Sequence, residues 1–374
     1  MPSSGQSHDI PWAKPTFWGR EEQYVLEALR SSWISGGPFV ERFERDLADY
    51  LACKHVLAVS NGTAALHLAY IALGLKSGDE VVTPAFGFMA AANIALQLGI
   101  RPVFCDVDPQ TWCMRADDVK AVLSSKTRAI VAVHSYGNVC EVEPIIALGR
   151  ERGIPVIEDA AEALGSRISG VLAGTLGMIN TFSFHATKTI TTGEGGLVAT
   201  NDDALAEAAR LYRSHGLRRE RHYWHEVPGH NFRMTNLQAA LGLAQLERMD
   251  EIVARKRTIG EEYTRRLRGI KGLQLPVEEP WARNVYWMYG VVLSEETRMD
   301  AQAFINKLAA HGVETRPFFL GMHEQPVFKT RGWFRNESYP VAERLACRGF
   351  YLPSGLSLTA SQLEVAAQAV RESV

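Results

Sequence analysis

Two side chains of this sequence, placed as they are, invite chemistry: Asp159, near the end of the strand-like run in VIEDAAEALG, and Lys188, in the turn after TFSF of TFSFHATKTITTGEGG. Glu158 precedes Asp159, so at least one carboxylate projects from the C-terminal edge of a sheet, where ligands bind in open α/β folds. Taken singly these residues say little, since a strand-end aspartate is usually a cap or turn residue and a lone lysine a solvated charge. Together they bring an amine able to form a Schiff base to a fixed negative charge.

A third element supplies an anion site. In LAVSNGTAALHLAY a strand runs into Asn61-Gly62-Thr63 and directly into a helix, so first-turn amides and the helix dipole face outward together. Read more simply, the segment is a strand-turn-helix with Ser60 or Asn61 as N-cap. It lacks the lysine of a nucleoside triphosphate loop. Lysine, strand-end carboxylate and anion turn are what pyridoxal 5'-phosphate (PLP) requires: a Schiff-base amine, a partner that keeps the pyridine nitrogen protonated, and a phosphate cradle to which Ser183 adds a hydroxyl. The freed lysine can then move the proton between substrate carbon and cofactor.

The elements that must position these residues follow an alternating pattern. Strands are expected at 56–60, 80–83, 102–105, 129–134, 155–158, 181–184 and 196–199, with helices between the first five, which predicts a mostly parallel seven-stranded sheet flanked by helices. Helices at 63–73 and 88–98 are each closed by a glycine, Gly74 and Gly99. After Asp202 come long amphipathic helices, 203–214 and 236–267. The pattern from 285 onward, with a helix at 300–311 and terminal helices from Pro340 and Thr359, predicts a smaller α/β domain. Residues 1–250 are thus read as an N-terminal segment with the large cofactor-binding domain, and 251–374 as the small domain.

Composition excludes several classes. The 374 residues are 46% hydrophobic and 22% charged, with a formal net charge of -2, so there is no basic footprint for nucleic acid. Five scattered cysteines without a C-x-x-C pair read as free thiols of a reducing compartment. No targeting segment is evident at MPSSGQSHDIPW and no apolar run is long enough to span a bilayer, which places the protein in the cytoplasm. His134 and His215 have no second ligand at metal spacing and are taken as structural, with no metal expected.

In this order the pieces resemble the DegT/StrS-type sugar aminotransferases, which are fold-type I PLP enzymes. The likeness runs from about Phe17 to the C-terminus and includes SSWISGGPFVERFERDLADYL, GDEVVTPAFGFMAAAN, PVFCDVDP, VHSYGN, HNFRMTNLQAALGLAQL and YLPSGLSLT. The resemblance implies that Lys188 is the Schiff-base lysine, Asp159 the pyridinium partner and Glu162 the residue on the ring-hydroxyl side. It implies that Phe88 stacks on one ring face and Ala161 presses on the other. Gly62, Thr63, Ala64 and Ser183 would meet the phosphate, joined by Asn231 from a neighbouring subunit, so a homodimer would share its active sites. Relatives with histidine at the lysine position are dehydratases, and Lys188 decides against that chemistry here.

The resemblance also implies a substrate, a nucleotide-linked 4-keto-6-deoxy sugar aminated at C4 by glutamate, with pyridoxamine phosphate formed during turnover. The motifs SSWISG, RHYWHEVPGHNFRMTN, VYWMYGV, VETRPFFLGMHEQPVF and RGFYLPSG favour GDP-4-keto-6-deoxymannose, whereas His185-Ala186-Thr187 before the lysine is closer to enzymes of UDP-linked sugars. UDP and dTDP carriers therefore stay open, as does a PLP-binding regulatory protein without turnover. Trp33, Ser35, Tyr223, Trp224, Phe318 and His323 are candidate sugar and base contacts. Arg316, and secondarily Arg221, are candidate partners of the diphosphate or donor carboxylate. His185 has two readings, substrate or proton handling and a packed ring.

Overall fold

Seven strands form one sheet in the spatial order His55–Val59, Gly196–Thr200, Ile179–Ser183, Val156–Asp159, Thr127–Val133, Glu80–Pro84 and Arg101–Cys105. Only Gly196–Thr200 runs against the others. The computed structural model describes residues 10–218, 221 and 223–374. The stretch read for a targeting signal lies mostly outside the described residues, as does His222 of the motif beginning at Arg221. All seven predicted strands are present, within two residues at each end.

The strands are largely buried because helices cover both faces: the central strand Val156–Asp159 is buried at every position, its two carboxylates included. Two clusters fill these faces. One gathers Leu57, Leu68, Val81, Ile94, Val131, Ile157 and Val198, and the other Phe43, Val82, Phe104, Ile130, Phe182, Phe184 and Leu243. A third cluster, around Ile259, Tyr263, Tyr289, Phe304, Phe350 and Leu363, lies under a four-stranded antiparallel sheet of Leu273–Gln274, Tyr289–Leu293, Gly349–Leu352 and Arg316–Pro317. Ile10 joins that cluster by bridging Val313, while Phe318, Phe328 and Leu345 pack into the core of the large sheet.

Two helix expectations need correction. The helix expected at 88–98 begins at Ala90, leaving Phe88 in the loop above the sheet edge. The helix expected over 236–267 is two, Asn236–Leu246 and Met249–Leu267. The chain turns at Arg248 (φ -121°, ψ 21°), and there Glu247 is drawn aside by Arg20, Tyr24 and Arg42. Long-range hydrogen bonds override a pattern that, along the chain, continues.

Candidate active site

Because the strands are parallel, their C-terminal ends open on one edge, and the sequence motifs meet there. Asp159 ends its strand opposite Val133 and Thr181, and Ser183 ends the next strand opposite Gly196. Gly196 in turn pairs with Val59, which leads into Asn61 and Gly62. Asn61 caps the helix Gly62–Ala72 by accepting from the Ala64 amide at 2.8 Å, leaving the Gly62 and Thr63 amides without intrahelical partners. A Cβ at Gly62 would stand 2.9 Å from Cβ of Ser183, and one at Gly196 only 2.5 Å from the Asn61 carbonyl, so glycines at both positions let the turn close on the strand.

The neighbouring carboxylates divide the work between structure and site. Glu158 is fully buried and accepts from His134 Nε2 at 2.9 Å and from the amides of Gly174, Leu176 and Gly177. Burial pushes its carboxyl up, but the His134 and amide hydrogen bonds win and hold it below the usual range. His134 Nδ1 accepts from the Cys140 amide at 3.0 Å, which leaves Nε2 to donate to Glu158. Among the described residues the Asp159 side chain is held by the Ala161 amide alone, at 3.1 Å, and burial leaves its carboxyl above the usual range although that amide and Lys188 draw it down.

Lys188 reaches the same place from the loop after Ser183. Its Nζ lies 3.4 Å from Oε1 of Glu162 and 3.7 Å from the ring centre of Trp287. Glu162 is oriented by the Tyr136 amide at 2.8 Å, and burial raises its carboxyl despite the lysine. Tyr136 takes a left-handed backbone (φ 55°) to aim that amide, and its ring stacks on Phe318 and Phe319. The lysine loop is fixed from two sides, by Gln245 exchanging hydrogen bonds with Thr191 and by the Trp287 indole donating to the Thr187 carbonyl at 2.7 Å.

These residues fit PLP. The site offers an amine, a buried carboxylate with little else to neutralise it, and a turn of open amides beside a hydroxyl. Phe88 is 62% exposed and packs edge-to-face with Phe319, and Ala161 is joined to Asp159 through its amide. Asn231 is exposed and accepts from Arg233 at 3.2 Å, although its segment runs beside Val59 and Ser60 of the same chain. Among the described residues no group of three metal-ligating side chains converges.

The other candidates separate. Trp33 and Ser35 are exposed on a segment whose carbonyls accept from Asn236, and Tyr223 is 90% exposed. Arg221 lies over the Trp224 ring. Arg316 pairs with Glu314 at 2.6 Å and covers Trp12, and its charge reaches Tyr351, which also feels Glu162. His185 is exposed, so the packed-ring reading fails, and the buried ring is its neighbour Phe184. Phe318 is corrected: it is 2% exposed among Phe86, Trp112 and Tyr136, with no surface for a sugar. His323 is corrected likewise, buried against Tyr339 with Nε2 on Glu343.

Sequence reading missed Tyr136, Trp287 and Lys256. The first two were signalled only by their motifs. Lys256 had a sharper sign, because it occupies a helical position in register with Ile252, Ile259, Tyr263 and Leu267, the apolar face.

Comparison with known proteins agrees with the geometry. Residues 17–371 match the profile of the DegT/DnrJ/EryC1/StrS aminotransferase family. A GDP-perosamine synthase of Escherichia coli O157:H7 is 40% identical, covering 97% of this chain and 98% of its own. One from Caulobacter vibrioides is 42% identical over 95% of each chain. The crystal structure of the aminotransferase TlmJ from Streptoalloteichus hindustanus superposes with a TM-score of 0.91 at 35% identity, covering 97% of this chain and 98% of that one. No described helix is long and apolar enough to cross a membrane. With the lysine, the carboxylates and the phosphate turn in place, the chain belongs to the DegT/DnrJ/EryC1/StrS aminotransferase family and is a PLP-dependent sugar aminotransferase.

Proposed function

We propose that this enzyme moves the amino group of glutamate to the C4 keto carbon of GDP-4-keto-6-deoxymannose, giving GDP-perosamine and 2-oxoglutarate. The observation that carries the chemistry is the Lys188 amine beside Glu162 at the sheet edge that ends in Asp159. The GDP carrier rests on the 40% and 42% identity to two GDP-perosamine synthases over nearly the whole chain. The exchange is balanced without an outside oxidant, since the donor loses the amino group that the sugar gains.

PLP bound here supplies an electron sink that stabilises negative charge at the substrate carbon. Asp159 holds the proton on the ring nitrogen, and its burial makes that charge pair strong. Gly62 and Thr63 present their open amides to the phosphate and Ser183 its hydroxyl, whereas the amide expected from Ala64 is taken by the Asn61 cap. Phe88 and Ala161 bound the ring, and Glu162 meets its hydroxyl side. Lys188 anchors the cofactor and, when released, carries the proton to and from the substrate carbon. Trp33, Ser35, His185 and Tyr223 offer exposed side chains to the nucleotide sugar, and Arg316 a guanidinium to an anionic group.

In this reading a homodimer brings the exposed Asn231 to the partner's phosphate site. Five free thiols, four of them buried, suit the cytoplasm. The test is a panel of GDP-, UDP- and dTDP-linked 4-keto sugars with glutamate, following 2-oxoglutarate. The GDP sugar is expected to react fastest. A faster UDP or dTDP sugar removes the carrier assignment, and no reaction from PLP-loaded protein removes turnover altogether.

A further inference from the structure

Lys256 is a buried cation that the scheme above does not use. It is 4% exposed on the helix Met249–Leu267, and its ammonium donates to the carbonyls of Trp287 at 3.0 Å and Ser354 at 2.7 Å. Among the described residues no carboxylate pairs with it, and burial pushes its pKa down to about 7. Keeping an amine in such a place is costly, so its position calls for a reason.

The two carbonyls explain where it sits. The strands Tyr289–Leu293 and Gly349–Leu352 pair from Tyr289 opposite Leu352, and Trp287 and Ser354 lie just beyond that pairing. Lys256 ties together the two chain ends that the ladder leaves behind. One of them carries Trp287, whose ring lies 3.7 Å from Lys188 Nζ and whose indole holds the carbonyl of Thr187, the residue before Lys188. Both lysines also line one cavity of about 30 Å³, with Thr191, Gln245 and Lys14.

We infer that Lys256 is a positioning residue for Lys188, acting through Trp287. It fixes the Trp287 main chain, and Trp287 then sets the height and direction of the lysine loop and gives the amine an electron-rich face. The phosphate turn at Gly62 belongs to another part of the sheet edge and is untouched by this linkage. Capture of PLP is therefore divided: the turn sets how tightly the cofactor first binds, and the Lys256–Trp287 link sets how fast Lys188 joins it. The inference rests on Lys188 being the anchoring amine, which Lys188→Ala tests separately by abolishing covalent capture altogether.

The experiment is covalent capture of PLP by the apoenzyme, followed by absorbance over a range of PLP concentrations for Lys256→Met and Trp287→Phe. Trp287→Phe keeps a ring but loses the N–H to Thr187. Both variants are expected to keep the wild-type half-saturating concentration and to lose about tenfold in the limiting first-order rate, the scale set by a small misplacement of a reacting group. A purely structural lysine would lower the melting temperature and leave that rate alone. A limiting rate within about twofold of wild type in folded Lys256→Met overturns the inference. Should Lys256→Met not fold, an unchanged rate in Trp287→Phe overturns it equally, and a slowed rate at unchanged half-saturation supports it.

Discussion

Lys188 Nζ lies 3.4 Å from Oε1 of Glu162, a carboxylate aimed not by another side chain but by the backbone amide of Tyr136. The amine thus meets a rigid acceptor inside a buried site, and its anchoring role gives the first expectation. Lys188→Ala removes the covalent PLP absorption band and turnover, while circular dichroism and melting stay close to wild type. Covalent PLP persisting in that variant would displace the central residue.

Asp159 gives an effect of opposite sign on activity and stability. Its carboxyl and that of Glu162 lie above their usual range in the protein alone, because of burial. The folded chain therefore holds their protons longer than the unfolded one. Their contribution to stability is complete below the ordinary carboxylate pKa of about 4 and is lost as pH rises through the higher folded values. Asp159→Asn removes one such group, so the apoenzyme should melt higher than wild type at pH 7, with a shallower pH dependence. Turnover of the same variant should fall by about 100-fold or more, equivalent to about 2.7 kcal/mol, since nothing then holds the ring proton.

At the phosphate turn the limiting factor is space. Gly62→Ala places a methyl 2.9 Å from Ser183 Cβ and must push the turn off its strand. PLP affinity, measured by titrating the apoenzyme, should weaken by about tenfold. Equal affinity would show that the cofactor's phosphate is held elsewhere.

Glu158 sits one residue from Asp159 yet should act on folding alone. Glu158→Ala strands the buried Gly174 amide, the part-buried amides of Leu176 and Gly177 and the His134 N–H, so a loss on the order of 4 kcal/mol is expected in denaturant unfolding. Because its folded pKa is depressed, its stabilisation is present at neutral pH and lost as pH falls below the ordinary carboxylate value. A stable variant with impaired chemistry would reverse the roles of the two acids.

Shared sites can be tested by mixing. Lys188→Ala and Asn231→Ala should each be inactive or weak alone. Dissociated and reassembled together, they should regain activity, because one site of the mixed dimer combines an intact lysine with an intact asparagine from the partner. No recovery, with mixed dimers verified by mass, would place Asn231 outside its partner's site.

The sequence by itself determined the strands, since buried parallel strands write apolar runs bounded by turns, and it determined the three-part cofactor constellation, since each part sits where a strand ends. It could not decide between Glu158 and Asp159, because adjacent strand residues point to opposite faces and only the packed sheet says which face holds His134 and which the site. Nor could it sort the aromatic and basic residues of the C-terminal third. Phe318 and His323 read as contacts and are buried, while Trp287 and Lys256, which the chain pattern did not single out, stand behind the reactive amine. Local pattern records which face of an element is apolar, but which two buried faces meet is fixed by long-range packing, and the surroundings of Lys188 depend on residues almost a hundred positions away.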